Sequence, residues 1–159
     1  MIMHRLYDGE LLLKLQKEAK ASKRKRVAHS FSKPEDKVQV MLNAVEPESY
    51  VRPHRHGNPR KVEVIQAVAG RIAVISFDDS GNVLKNEVSE ANKPGNVVLI
   101  PAGTWHSMVS LESGSVMLEI IEGPYDEKTH KQFAVWVPEE GTDEAGWFLS
   151  KLKNKMKYE

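Results

Sequence analysis

Short apolar segments of two-residue period, cut by glycine, proline and aspartate turns at roughly 8–12-residue spacing, run from residue 37 to residue 141 and point to antiparallel sheet. Val38, Val40 and Leu42 alternate with Gln39, Met41 and Asn43. Tyr50–His56 reads as extended, with Pro53 suited to an edge or a strand start. Further strands are expected over Val62–Val68 (ending at Gly70), Arg71–Phe77, Val83–Val88, Val97–Ile100, Trp105–Leu111, Val116–Ile121 and Phe133–Val137. Asp78-Asp79-Ser80-Gly81-Asn82 and Pro101-Ala102-Gly103 supply turn chemistry between them. About eight or nine short strands with no intervening helices describe a β-sandwich or barrel, not βαβ units.

Only the ends look helical. Leu11, Leu12, Leu15 and Ala19 recur at helical spacing over residues 8–21, with Asp8 placed to cap. Trp147, Phe148, Leu149, Leu152 and Met156 form one broad apolar stripe on a tail helix, Trp147–Lys157, expected to pack on the barrel. The chain thus divides into an N-terminal helix with a basic arm (1–36), a β-barrel (37–141) and a helical tail (142–159). The run Lys23-Arg24-Lys25-Arg26 is either a solvated linker or an arm that brings arginine to an anion site or a partner subunit.

Composition removes several function classes. The 159 residues carry 23 Lys+Arg against 22 Asp+Glu, so no net field draws the chain to nucleic acid or membrane. Cysteine is absent, which excludes disulfides, thiolate metal sites, iron–sulfur clusters and cysteine nucleophiles. No run approaches a spanning helix, and no signal peptide is read at the start; a cytoplasmic protein is expected.

The histidines carry the chemistry. His54 and His56 stand two apart on an extended segment, so their imidazoles share a face. Gly57-Asn58-Pro59 breaks that segment, and Glu63 returns at the start of the next strand, where sheet pairing brings a carboxylate beside the histidines. His106 follows Pro101-Ala102-Gly103-Thr104-Trp105. Three imidazoles and one carboxylate suit one divalent metal among Fe, Mn, Ni, Co and Zn, and leave the site at a net charge of about +1. An octahedral ion would keep two positions open. His4, His29 and His130 show no paired spacing; His29, just after the basic run, is a candidate to reach a neighbouring site.

These residues also carry a resemblance. His54 to Gly70 reads H-x-H-x6-E-x6-G, and Gly95 to His106 reads G-x5-P-x-G-x2-H, which resemble the two motifs of the cupin superfamily. The His56–Glu63 gap is longer than the usual three or four residues, with two inserted around Gly57–Arg60, and Ser110 stands where asparagine is common. The strings Ser49–His56, Lys61-Val62-Glu63, Phe77–Gly81, Ile100–His106, Glu122–Asp126 and Phe133–Gly141 are similar to the WbuC-type cupins, a family often encoded among O-antigen sugar genes. The resemblance implies an all-β cupin fold, a double-stranded β-helix or jelly-roll barrel, with N- and C-terminal helices. It also implies metal at His54, His56, Glu63 and His106, and a homodimer.

Strand parity proposes neighbours. Tyr50 and Arg52 share the face of His54 and His56; Arg52 suits a carboxylate or phosphate, and Tyr50 is a proton donor or core filler. Lys61 shares Glu63's face, and Met108 and Ser110 share that of His106, which makes all three candidates for substrate contact. Trp105 faces the other layer. Glu119 is a charge inside the apolar strand Val116–Ile121, either an acid beside the metal or a solvent-facing residue. The expected function is a metal-dependent enzyme acting on a small polar, anionic ligand (a sugar, sugar phosphate or nucleotide sugar) by isomerisation or epimerisation, with Glu119 or Tyr50 moving protons. The alternatives are an Fe(II) dioxygenase and a non-catalytic sugar-binding or metal-dependent sensor module.

Overall fold

A computed structural model describes residues 7–156, except for the side chain of Met156. His4 and Lys157 therefore lie outside the described residues, as does the Met156 end of the expected stripe. The order is α1 (Gly9–Ala21), β1 (Arg26–Ser30), β2 (Val38–Val45), β3 (His54–Arg55), β4 (Glu63–Ala69), β5 (Arg71–Phe77), β6 (Val83–Glu90), β7 (Val97–Ile100), β8 (Trp105–Ser110), β9 (Ser115–Glu122), β10 (Gln132–Phe133) and α2 (Asp143–Met156). Two antiparallel sheets face each other, ordered β1-β2-β9-β4-β7 and β10-β3-β8-β5-β6.

Period two sorts the side chains into three cores. Ile65 and Ala67 of β4, Ile72 and Val74 of β5, Met108 of β8 and Met117 of β9 point between the sheets and fill one half of the interior. On the outer face of the first sheet, Leu42, Ala44 and Val116 meet Leu15 and Ala19 of α1. On the outer face of the second, Ala73, Ile75, Phe77 and Val109 meet Ala145, Leu149 and Leu152 of α2. Burying one such leucine or isoleucine contributes about 1.5–3 kcal/mol, so each helix is fixed mainly by its seam. Asp8 caps α1 by accepting from the Leu11 backbone N–H at 3.0 Å.

The turns follow the expected chemistry. Gly70 joins β4 to β5 at φ +67°, and a Cβ there would stand 2.4 Å from Ser115 Oγ, so this corner admits only glycine. The two residues inserted after His56 form a tight loop: Gly57 bridges Arg60, and the Lys61 N–H reaches the His56 carbonyl at 3.4 Å.

Four expectations are revised. The basic run leads directly into a strand: β1 pairs with β2 from Arg26↔Val45 to Ser30↔Met41, because Val27 finds the apolar surface beneath α1. Only His54–Arg55 of the Tyr50–His56 stretch makes ladder bonds. The last strand stops at Phe133 rather than Val137, since Ala134 and Val137 are drawn into the core under α2 while Val135 is left 95% exposed. The tail helix starts at Asp143, and its seam is Ala145–Leu149–Leu152 with Phe148 beside it, which leaves Trp147 at 67% exposure, off the packed face.

Candidate metal centre

The register of the second sheet builds half of the site. His54 of β3 lies directly opposite His106 of β8, and their ring centroids are 4.5 Å apart. His56 follows two residues on, on the same side. Glu63 comes from the facing sheet, at the first position of β4, with Ile65 and Ala67 below it on the same inward face. The ligating atoms of His54, His56 and His106 lie within 4.8 Å of one another. Oε2 of Glu63 lies 3.3 Å from Nε2 of His56 and 3.0 Å from Nε2 of His106. All four side chains are at most 2% exposed.

The outer contacts of the rings decide their protonation. Nδ1 of His54 meets the Arg52 carbonyl at 2.9 Å, Nδ1 of His106 the Thr104 carbonyl at 2.9 Å, and Nδ1 of His56 the His130 carbonyl at 2.5 Å. A carbonyl only accepts, so each Nδ1 carries a proton, and the Nε2 atoms of His56 and His106 face Glu63. Nε2 of His56, Nε2 of His106 and both oxygens of Glu63 are buried without a hydrogen-bond partner among the described residues. A ring nitrogen and a carboxylate oxygen about 3 Å apart in a buried site call for a positive charge between them, a proton or a metal ion. Burial drives His54 well below its ordinary pKa, which keeps that ring neutral. Neutral nitrogens, one carboxylate and fixed outer hydrogen bonds fit a divalent metal ion.

His54 also lines a cavity of about 800 Å³. Glu119 of β9 lines it, 6% exposed, with Oε2 accepting from Asn43 Nδ2 at 2.8 Å. Burial, then the nearby charge of Glu63, pushes its carboxyl up to about 8, so it holds a proton at neutral pH. Arg52 lies over the Phe133 ring at 5.0 Å. Its contacts are long, 3.4 Å to the Ala134 carbonyl and 3.9 Å to Glu139, and its Nε is buried without a partner among the described residues. Lys131, exposed, adds a second positive charge to the wall. At the mouth, Arg24 and Arg26 both bind Glu140, at 2.8–2.9 Å, and hold its carboxyl at about 2 against the opposing effect of burial. The basic run is thus an arm that delivers arginine to the cavity rim.

Four other residues singled out from parity do not line this cavity. Tyr50 packs in the outer core against Phe148, and its hydroxyl donates to the Pro138 carbonyl at 3.1 Å; burial raises its pKa to about 12. Lys61 is buried and donates from Nζ to the Pro124 carbonyl at 2.5 Å. Met108 is part of the apolar filling. Ser110 donates to the Glu112 carbonyl at 2.7 Å. Trp105 faces the outer core and donates to Asp79 at 2.9 Å. His29 meets Phe31 edge to face, with ring centroids 4.8 Å apart.

Sequence reasoning passed over His130, Lys131, Phe133 and Asn43. Asn43 was legible: Met41, Asn43 and Val45 alternate with the residues that α1 covers, so they must face the interior. His130 was not, because no spacing links it to the residues it meets.

A family model described as "Domain of unknown function (DUF6016)" matches residues 7–88, just over half of the 159 residues. The chain belongs to the DUF6016 family. The match takes in the elements from α1 through β5, most of β6, and the candidate metal-holding residues His54, His56 and Glu63. No curated protein sequence matches this DUF6016 chain. Solved structures do. The capsular polysaccharide assembling protein CapF from Staphylococcus aureus superposes with TM-score 0.60 at 22% identity, over 70% of this chain and 32% of its own. A recombinant oxalate oxidase in complex with glycolate gives 0.55 at 19%, over 85% and 74%. A variant of Bacillus subtilis oxalate decarboxylase gives 0.53 at 16%, over 68% and 28%. This chain therefore spans less than a third of the CapF and decarboxylase chains. At such identities the likeness speaks to fold, and the fold of this DUF6016 protein is cupin-like, with a buried three-histidine, one-glutamate cluster suited to metal.

Proposed function

We propose that this protein is a metal-dependent cupin enzyme that isomerises or epimerises a small anionic carbohydrate, a sugar phosphate or nucleotide sugar. The observation that carries this reading is Glu119: a buried, protonated acid on the wall of a cavity that is also lined by His54 of the donor cluster and by a poorly partnered arginine. An acid whose pKa lies near the working pH can give and take protons in one turnover.

A divalent cation held by His54, His56, Glu63 and His106 would supply a Lewis acid for a substrate carbonyl. The chain's own groups do the rest. Arg52 and Lys131 take the anionic group and so orient the ligand, and Arg52, with a buried free Nε and only long contacts, is available for a bidentate grip. Glu119 transfers a proton at its carboxyl, steadied by Asn43. The resemblance to WbuC-type cupins and the fold likeness to a capsular polysaccharide assembling protein support a place in surface-polysaccharide chemistry. The same reading makes the protein a cytoplasmic homodimer.

The test is solvent-deuterium incorporation. Metal-reconstituted protein is incubated in D2O with reducing sugar phosphates and keto-sugar nucleotides, and NMR follows exchange at the carbon next to the carbonyl. Exchange is expected with wild type, and loss of at least 100-fold with Glu119→Gln at unchanged metal content. Ligands that raise Tm without exchange would support the sensor reading; oxygen consumption with iron alone would support the dioxygenase.

A further inference from the structure

Two of the three imidazoles are oriented by their own strands. His54 and His106 each donate from Nδ1 to the carbonyl two residues before them. His56 is different: its Nδ1 donates to the carbonyl of His130, 74 residues away. That carbonyl sits in the connection between β9 and β10, where no strand ladder holds the chain from Tyr125 to Lys131. The segment is organised locally. The Asp126 carbonyl accepts from the N–H groups of Thr129 and His130, at 3.1 and 2.7 Å, and Asp126 Oδ1 accepts from the Lys128 N–H at 2.9 Å. The His130 ring lies between those of His56 and Tyr125, 4.7 Å from each. Its own Nδ1 is buried with no partner among the described residues.

We propose that the segment Tyr125–Lys131 is a positioning element for His56 whose order is linked to metal occupancy, with His130 as the joint. The inference rests on the metal-binding reading above and adds which part of the chain responds. A metal ion fixes the His56 ring, and the ring fixes the His130 carbonyl. By linkage, whatever loosens the segment weakens the metal to the same degree. The segment is also a wall of the cavity, through Tyr125, His130 and Lys131. An occupant that touches this wall therefore acts on metal affinity without touching the metal.

The experiment uses chelator-stripped full-length protein and Mn(II) alone as probe. Hydrogen exchange of peptides spanning residues 125–131 is read before and after Mn(II), and Mn(II) affinity is measured for Asp126→Ala and Tyr125→Ala, neither of which removes a ligand. Mn(II) is expected to slow exchange in the segment. The two variants are expected to bind Mn(II) about 10-fold more weakly, with the metal-free Tm within a few degrees of wild type. In metal-free protein, His56→Ala is expected to speed exchange in this segment, and His54→Ala to leave it as in wild type. Wild-type Mn(II) affinity in both loop variants, or equal exchange in the two histidine variants, overturns the linkage and leaves the metal reading standing. A wild-type protein that takes up no Mn(II) overturns both.

Discussion

Asn43 donates from Nδ2 to Oε2 of Glu119 at 2.8 Å, across neighbouring strands of the first sheet. The amide holds one carboxyl oxygen and leaves the acid, with its proton, against the cavity wall. The folded chain therefore prefers Glu119 protonated up to about pH 8, whereas the unfolded chain releases that proton near pH 4.5. Between those values the native state binds more protons, so wild-type stability contributed by this group falls as pH rises from 4.5 to 8. Glu119→Gln cannot titrate. Urea unfolding of metal-free protein at pH 5, 6.5 and 8 should show the variant gaining steadily on wild type; parallel profiles would contradict a buried, proton-holding Glu119.

Metal dependence separates the histidines. His106→Ala removes an imidazole whose Nε2 lies 3.0 Å from Glu63, and should abolish metal retention. His29, edge to face with Phe31, is outside the cluster, and His29→Ala should keep the metal. A metal present at 100 times its dissociation constant stabilises the fold by about 2.7 kcal/mol, or roughly 5–10 °C in Tm at this size. Wild type and His29→Ala should show that shift by thermal denaturation, and His106→Ala should not. Equal metal content in the two variants by elemental analysis would sink the assignment.

The rim answers to acid and salt. Glu140 is held at about 2 by hydrogen bonds from Arg24 and Arg26, against an unfolded value of about 4.5. A depressed carboxylate contributes stability that is complete above pH 4.5 and is lost as pH falls toward 2. With the side chain 30% exposed, solvent screening limits the contribution to about 1 kcal/mol. Glu140→Gln should cost about that much at pH 7, less in 1 M salt, and nothing at pH 2. Chemical denaturation across that range measures it.

The two helix-face residues Trp147 and Leu149 should behave oppositely despite being neighbours. Leu149 is 6% exposed in the outer core, and Leu149→Ala should cost about 2–4 kcal/mol. Trp147 is 67% exposed, and Trp147→Ser should change stability by no more than about 0.5 kcal/mol. Unfolding midpoints at constant m-value decide the matter.

The β architecture and the candidate metal cluster were legible, the strands and the His54–His56 pair from local rules, Glu63 and His106 from their resemblance to the cupin motifs. Period two set the strands, and i, i+2 geometry put His54 and His56 on one face. The longer gap before Glu63 did not matter, since Gly57 and Arg60 close the insertion on itself. What parity could not tell was how far a strand runs or what covers its outer side. Tyr50 shares a parity with Arg52, but the chain leaves the ladder before His54, and the phenol turns under α2. Trp147 belongs to an apolar stripe that is wider than the surface available to cover it. His130 reaches the metal cluster only through tertiary folding, by a backbone atom, and a carbonyl leaves no trace in residue type.

The apolar filling contributed by Ile65, Ile72, Val74 and Met108 closes one end of the barrel. Among the described residues, the cavity that reaches His54 is lined by Arg24, Arg26 and Glu140. An anion entering this cavity therefore meets two arginines of whose combined charge Glu140 offsets only one unit.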